Sequence, residues 1–195
     1  MNHPLYDNLH ELCRMRRSVR NFSDQPVDKA IIDKIMDVAL TSPYSTGRKD
    51  WEILVVDDPQ QIRDISNAVK RQVARTLAGV KDEFVSSFEN YSKYFYSFAG
   101  APVLLVPTFR ILKGTSFMFK EEEPGVSELD RDGTIKSIAC VVMLVLLAAQ
   151  SLELGACFVH GALIAEDEIG KLVKIKPGRN IGAIVPIGYP AGERE

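Results

Sequence analysis

Four arginines fall within seven residues in the stretch RMRRSVRNF, at 14–22, with a single serine among them. A guanidinium is a planar fork of donors that matches phosphate oxygens in pairs, and a serine hydroxyl adds one more donor. The whole chain of 195 residues carries a formal charge of -2, so the cluster is not part of a general basicity. A nucleic-acid-binding chain usually shows a broad basic surplus, whereas a small anionic ligand needs only a local one. If the backbone is extended there, Arg16, Ser18 and Arg20 point to one side and converge on one anion. The competing reading is a solvated basic helix end, favoured by the helix dipole. The sequence holds neither GxxxxGK[ST] nor GxGxxG, which argues against a P-loop or a Rossmann dinucleotide site. One phosphate cluster without a nucleotide fingerprint suits a mononucleotide.

Other chemistry is sparse. Cys13, Cys140 and Cys157 are odd in number, far apart and lack a CxxC, so they read as reduced thiols in a cytoplasmic setting. His3, His10 and His160 lack metal-ligand spacing, and no metal site is expected. The opening MNHPLYDNLHELC shows no basic-then-apolar signal sequence. The run IACVVMLVLLAA at 138–149 falls short of the roughly 18–20 residues a bilayer span needs, so no membrane contact is expected and a buried helix is.

Around the cluster, Leu5, Leu9 and Leu12 recur at helical spacing. Asp28 caps a second helix whose apolar face runs from Ile31 to Leu40, stopping near Ser42 ahead of Pro43. WEILVV (51–56) and APVLLVPTF (101–109) read as buried strands. Asp58-Pro59 starts a third helix, and Phe84–Phe98 is aromatic-rich and helical. Residues 111–132 show no period and read as a surface excursion or lid. Thr134–Leu154 is a long apolar helix buried on most sides, and IGAIVPIGYP is the last strand. Helices and strands mix without strict βαβ alternation, so the expected class is α+β in a single domain over 1–195.

With these residues in view, RRSVRNF, then PVDKAIIDKIMDVALTSPYSTGRKDWEILVV, then LLAAQSLELGACFV and IGAIVPIGYPAGE resemble the nitroreductase family of FMN-dependent oxidoreductases. The resemblance implies a central mixed or antiparallel sheet flanked by helices, in a homodimer with FMN at the subunit interface. It places Arg16 and Ser18 on the FMN phosphate, Arg17 along the phosphate and ribityl chain, and Arg20 at the pyrimidine edge of the flavin. A cation there stabilises reduced flavin. The loop Pro43, Tyr44, Ser45 corresponds to the segment the partner subunit lays over the isoalloxazine. Val159, His160 and Gly161 fall where a backbone amide faces flavin N5. His160 there reads first as a packing or substrate-contact residue and only second as a proton donor, so no side chain is assigned as catalytic. The sequence departs from the family at Gly47, Lys49 and Asp50, where asparagine, glutamine and proline are usual, and Arg194 is the candidate for a C-terminal phosphate contact.

The implied function is electron transfer from NADH or NADPH through flavin to an electron-poor acceptor such as a nitroaromatic, a quinone or an enone. The alternatives are a specialised member that fragments flavin or dehalogenates an aromatic, a non-catalytic flavin-binding or redox-sensing protein, and a nucleic-acid binder using RMRRSVR as an arm.

Overall fold

The structure is a computed structural model that describes residues 3–45, 49–121 and 123–192. In chain order the elements are helices α1 (Pro4–Met15) and α2 (Lys29–Ala39), strand β1 (Trp51–Val56), helices α3 (Pro59–Leu77) and α4 (Val85–Ser92), strand β2 (Val103–Phe109), helix α5 (Pro124–Ser151), strand β3 (Gly155–Ala156), helix α6 (Glu166–Leu172), and strands β4 (Asn180–Ile181) and β5 (Val185–Gly188). The helix starts follow the expected chemistry. Asp28 accepts from the Ala30 N–H at 2.8 Å, and Asp58 accepts from the Gln60 N–H at 2.9 Å.

All the strands pair antiparallel, in the order β1-β2-β5-β3, with β4 on β2. The one parallel element is an isolated bridge from Ser18 to Ala156. β2 is buried on both faces, and its period-2 alternation sends Val103 and Leu105 into one core and Leu104 and Val106 into the other. The first core is closed by Ile32 and Ile35 of α2 and Val141, Val145 and Ala149 of α5. The second is closed by Ile62, Ile65 and Val69 of α3, by Phe98 and by Ile169 of α6. The result is an α+β fold with a helical layer on each face of an antiparallel sheet.

Four expectations are corrected. WEILVV is a strand, but it forms the sheet edge on β2 and leaves Val55 46% exposed, so it is not fully buried. The last strand breaks into β4 and β5 at Gly182 and Ala183, where the Gly182 N–H still donates to the Pro107 carbonyl at 2.7 Å. The long helix starts at Pro124, so residues 124–132 of the expected excursion are helical. Proline is favoured at a first helical position, but Gly125, Gly133 and a mixed charge pattern hide the apolar period that would have announced this turn. Finally, α5 is not buried on most sides. It is long and apolar enough to cross a membrane, and half of its apolar window is buried inside the fold, while Met143 stands 49% and Ile135 36% exposed.

What remains of the excursion is tied down by one side chain. The Asp130 carboxylate on α5 accepts from the N–H groups of Gly114 (2.9 Å), Thr115 (2.8 Å) and Ser116 (3.0 Å) and from the Ser116 hydroxyl (2.7 Å). The Ser116 hydroxyl first, then these amides, hold the carboxyl well below the usual carboxylate range against the opposing effect of burial. A depressed folded pKa contributes stability that is present above the ordinary value and lost only as pH falls through the lowered one. The clamp therefore persists at about pH 4, where a free aspartate is half protonated. We expect Asp130→Ala to raise amide hydrogen exchange across 114–116 by at least about tenfold at pH 7, with amides of β2 unchanged. Protection unchanged at 114–116 would contradict the clamp.

Candidate flavin site

The arginine cluster sits where α1 ends. Arg16 is the C-cap, with φ -60° and ψ 128°, so the chain leaves the helix and becomes extended at once. The extension is fixed by the sheet: Ser18 bridges Ala156, and the Val19 N–H donates to the Ala156 carbonyl at 3.1 Å. The close approach needs Gly155, because a Cβ there would lie 2.6 Å from the Val19 side chain. The extended reading of RRSVR therefore holds over the helical one.

Beside this segment lies a cleft of 470 Å³, lined by Arg17, Ser18, Arg20, Lys93, Tyr94 and Ser97 among others, with no carboxylate among the described residues that line it. Arg20 is braced from two directions. Its guanidinium carbon stands 4.6 Å from the centre of the Tyr94 ring, and one terminal nitrogen donates to the Ser18 carbonyl at 3.3 Å. Its Nε is buried without a partner. Arg17 folds back on the backbone, donating to the Arg14 carbonyl and, at 3.0 Å, to that of Arg16. Arg16 does not line the cleft, but its charge reaches the same ground: the buried Cys157 thiol is pushed up by burial, and Arg20, the Ser18 hydroxyl and Arg16 oppose that rise.

The second candidate segment lies two residues beyond β3. Val159 is buried and exchanges backbone hydrogen bonds with Ile184 at 2.9 and 3.3 Å, so its side chain belongs to the core. His160 caps a short 3-10 turn over Gly161–Ala165. Gly161 has no room for a side chain, since a Cβ would meet the Phe95 ring at 2.1 Å. Phe158 and His160 face a different cavity, of 290 Å³, walled by Phe109, Ile135, Ile138 and other apolar residues.

The loop Pro43–Ser45 shares neither cavity within one chain. The Ser45 N–H donates to the Ser137 hydroxyl of α5 at 2.8 Å. The Tyr44 ring packs against the first core, and its hydroxyl is buried without a partner. Burial first and the Asp50 carboxylate second push its pKa up to about 12, with Arg179 opposing. Gly47 and Arg194 lie outside the described residues.

Sequence reasoning missed Lys93 and Ser97 in the cleft and Arg131 in the second cavity. Lys93 sits inside the aromatic run SKYFYSF, and a lone cation between packing aromatics was the available signal.

Known proteins resemble this chain along nearly its whole length. YfhC of Bacillus subtilis (strain 168), provisionally named an NAD(P)H nitroreductase, is 21% identical over 182 residues, covering 93% of this chain and 84% of that protein. A BluB-like flavoprotein from Clostridium difficile 630 superposes with a TM-score of 0.83 at 19% identity, covering 96% of this chain and 92% of the other. A nitroreductase with bound FMN from Desulfitobacterium hafniense DCB-2 superposes with a TM-score of 0.72 at 18% identity, covering 100% and 92%. At that level of identity the two structures establish the fold. The sequence profile of the Nitroreductase family matches residues 13–189, and the chain belongs to that family.

Proposed function

We propose that the protein is an FMN-dependent oxidoreductase that passes electrons from NADH or NADPH to an electron-poor small molecule such as a nitroaromatic, a quinone or an enone. The observation that carries this reading is the extended Arg16–Arg20 segment locked to β3 over a cationic cleft with no carboxylate among its described lining residues. These residues fit a mononucleotide phosphate: the Ser18 hydroxyl lines the cleft, and the guanidinium groups there and the orphaned buried Arg20 Nε have no anion of their own among the described residues. FMN held there supplies the two-electron chemistry between nicotinamide and acceptor.

In this reading Arg16, Ser18 and Arg17 hold the phosphate end. Arg20, fixed by Tyr94, sets a positive charge at the pyrimidine edge. The backbone of Val159–Gly161 lies along the flavin, and Phe95 keeps Gly161 free of side chain. The chain acts as a homodimer, and the 1–195 span forms one FMN-binding domain per subunit. In support, α1 buries none of its residues and presents Leu5, Tyr6 and Leu9 87%, 64% and 53% exposed, while Met143 of α5 adds further apolar surface. Pro43 and Ser45 of one subunit would then cover the flavin of the other, with Arg194 a further phosphate contact. Tyr44, turned into its own core, contributes through its backbone.

Arg20 gives the sharpest test. A fixed cation near flavin N1 favours the reduced, more negative form. We expect Arg20→Ala to retain FMN while lowering its reduction potential by roughly 30–60 mV, a ten- to hundredfold change in the two-electron equilibrium. Dye-coupled anaerobic titration measures this directly. An unchanged potential would remove Arg20 from the flavin edge.

A further inference from the structure

The 290 Å³ cavity has a chemical preference built into it. Its walls are apolar, with Phe109, Ile138 and Phe158 among them, and its polar lining includes Arg131, His160, Glu166 and Asn180. Glu166 is already engaged, its carboxylate accepting from the Ile181 N–H at 2.7 Å. Arg131 is not. Every other described arginine outside the opening cluster has a partner: Arg63 donates to Gln60, Arg71 and Arg75 pair with Glu168, Arg110 donates to the Pro177 carbonyl, and Arg179 pairs with Asp50. Arg131 sits between two aspartates, but Asp130 is committed to the 114–116 backbone and Asp132 pairs with Lys136 at 3.2 Å. A guanidinium at the edge of an apolar slot, with Asp130 and Asp132 drawn elsewhere and the Glu166 carboxylate holding the Ile181 N–H, is open to an anion. A cavity of this size accepts one ring with small substituents.

We propose that this cavity selects monocyclic aromatic carboxylates, and that Arg131 is the specificity-determining residue that reads the carboxylate. Resting on the flavin reading above, the inference names the acceptor class of that site: an electron-poor ring bearing a carboxylate, such as a nitrobenzoate. The ring lies between Phe109 and Phe158, and the carboxylate takes the Arg131 fork in paired hydrogen bonds. For a nitro acceptor the balance is simple. NAD(P)H gives a hydride, the medium gives a proton, the nitro group loses one oxygen as water, and nitroso and NAD(P)+ remain.

The test compares benzoate, which cannot be reduced, with the uncharged benzamide, by calorimetric titration into the protein with and without FMN. Benzoate is expected to bind at least about tenfold more tightly than benzamide, and Arg131→Ala to bring the two within about twofold. Arg131→Lys should recover part of the preference, since it keeps the charge and loses the fork. The rate of NAD(P)H oxidation should show the same order for 4-nitrobenzoate over 4-nitrobenzamide. Equal affinity of the wild-type protein for both ligands, or a preference that survives in Arg131→Ala, would overturn the inference. A protein that refuses FMN yet keeps the benzoate preference would support the cavity assignment while overturning the flavin reading. One that takes FMN and shows no preference would overturn the cavity assignment alone.

Discussion

Arg16→Ala combined with Ser18→Ala is expected to raise the dissociation constant for FMN by about a hundredfold while the chain stays folded. Hydrogen bonds to a charged group contribute roughly 1.5–3 kcal/mol each, and the pair together roughly 3 kcal/mol, or about two powers of ten. Both side chains leave an extended backbone that is held by the Ser18–Ala156 bridge and the Val19 N–H, neither of which needs the side chains removed. Ser18 is exposed and Arg16 half-buried, so truncation opens no cavity in the core. The specificity of the loss is the informative part. Riboflavin has the same ring and ribityl chain but no phosphate, and its affinity should change by less than about threefold. Fluorescence quenching with both ligands gives the two constants. A parallel loss for riboflavin would mean that the cluster shapes the cleft and does not read the phosphate.

Arg179→Ala is expected to destabilise the fold by roughly 3 kcal/mol, the lower end of what breaking a buried ion pair costs. Only 7% of the Arg179 side chain is exposed, although the turn that carries it, KPGRN, is a surface turn made possible by Gly178 at φ +76°. The guanidinium donates to the Asp50 carboxylate at 2.8 Å and to the Thr108 hydroxyl at 3.1 Å, and it reaches the backbone carbonyls of both residues and the Glu52 carboxylate at 3.3 Å. Its loss takes one partner from each of two carboxylates and two carbonyls where β1, β2 and β4 meet, although Glu52 keeps Lys176 at 2.9 Å and the Asp50 carbonyl keeps the Arg110 N–H at 3.3 Å. Because Asp50 and Glu52 are 34% and 30% exposed, water relieves part of the cost. Glu52 is held below its usual range first by its hydrogen bond from Lys176 and also by Arg179, against burial and the Asp50 charge. A lowered carboxylate pKa stabilises the fold above the ordinary value of about 4.3 and ceases to do so as pH falls through the lowered one. The gap between wild type and Arg179→Ala in urea should therefore narrow toward pH 3, with the m-value unchanged at pH 7. Arg179→Lys should recover less than half of the loss, because an ammonium cannot serve so many acceptors at once.

Arg179 also shows where sequence reading stops. The helices with a capping aspartate and a clean apolar stripe, α2 and α3, were legible because their signals are local. The fully buried, mostly apolar β2 was legible for the same reason. What makes β1 an edge is the sheet order, a long-range property that WEILVV does not encode. The first turns of α5 were hidden because Asp130 stabilises them by reaching back to 114–116, a contact no spacing rule anticipates. In the site, the arginine cluster stood out by type and spacing, and the resemblance assigned its roles. Lys93 and Arg131 reach the cavities only through the packing of the Lys93–Tyr96 turn, α5 and the sheet. Asp50, where the family has proline, gains a structural reason: it is the counter-ion of Arg179.

The flavin reading as a whole stands on one observable. The purified protein, reconstituted with FMN, is placed under anaerobic conditions, and its visible spectrum is recorded before and after NADH and, separately, NADPH. Oxidised flavin bands that bleach with at least one donor and return on adding an electron-poor acceptor are the predicted result. A protein that takes up no FMN, or whose bound flavin neither nicotinamide can bleach, would contradict it.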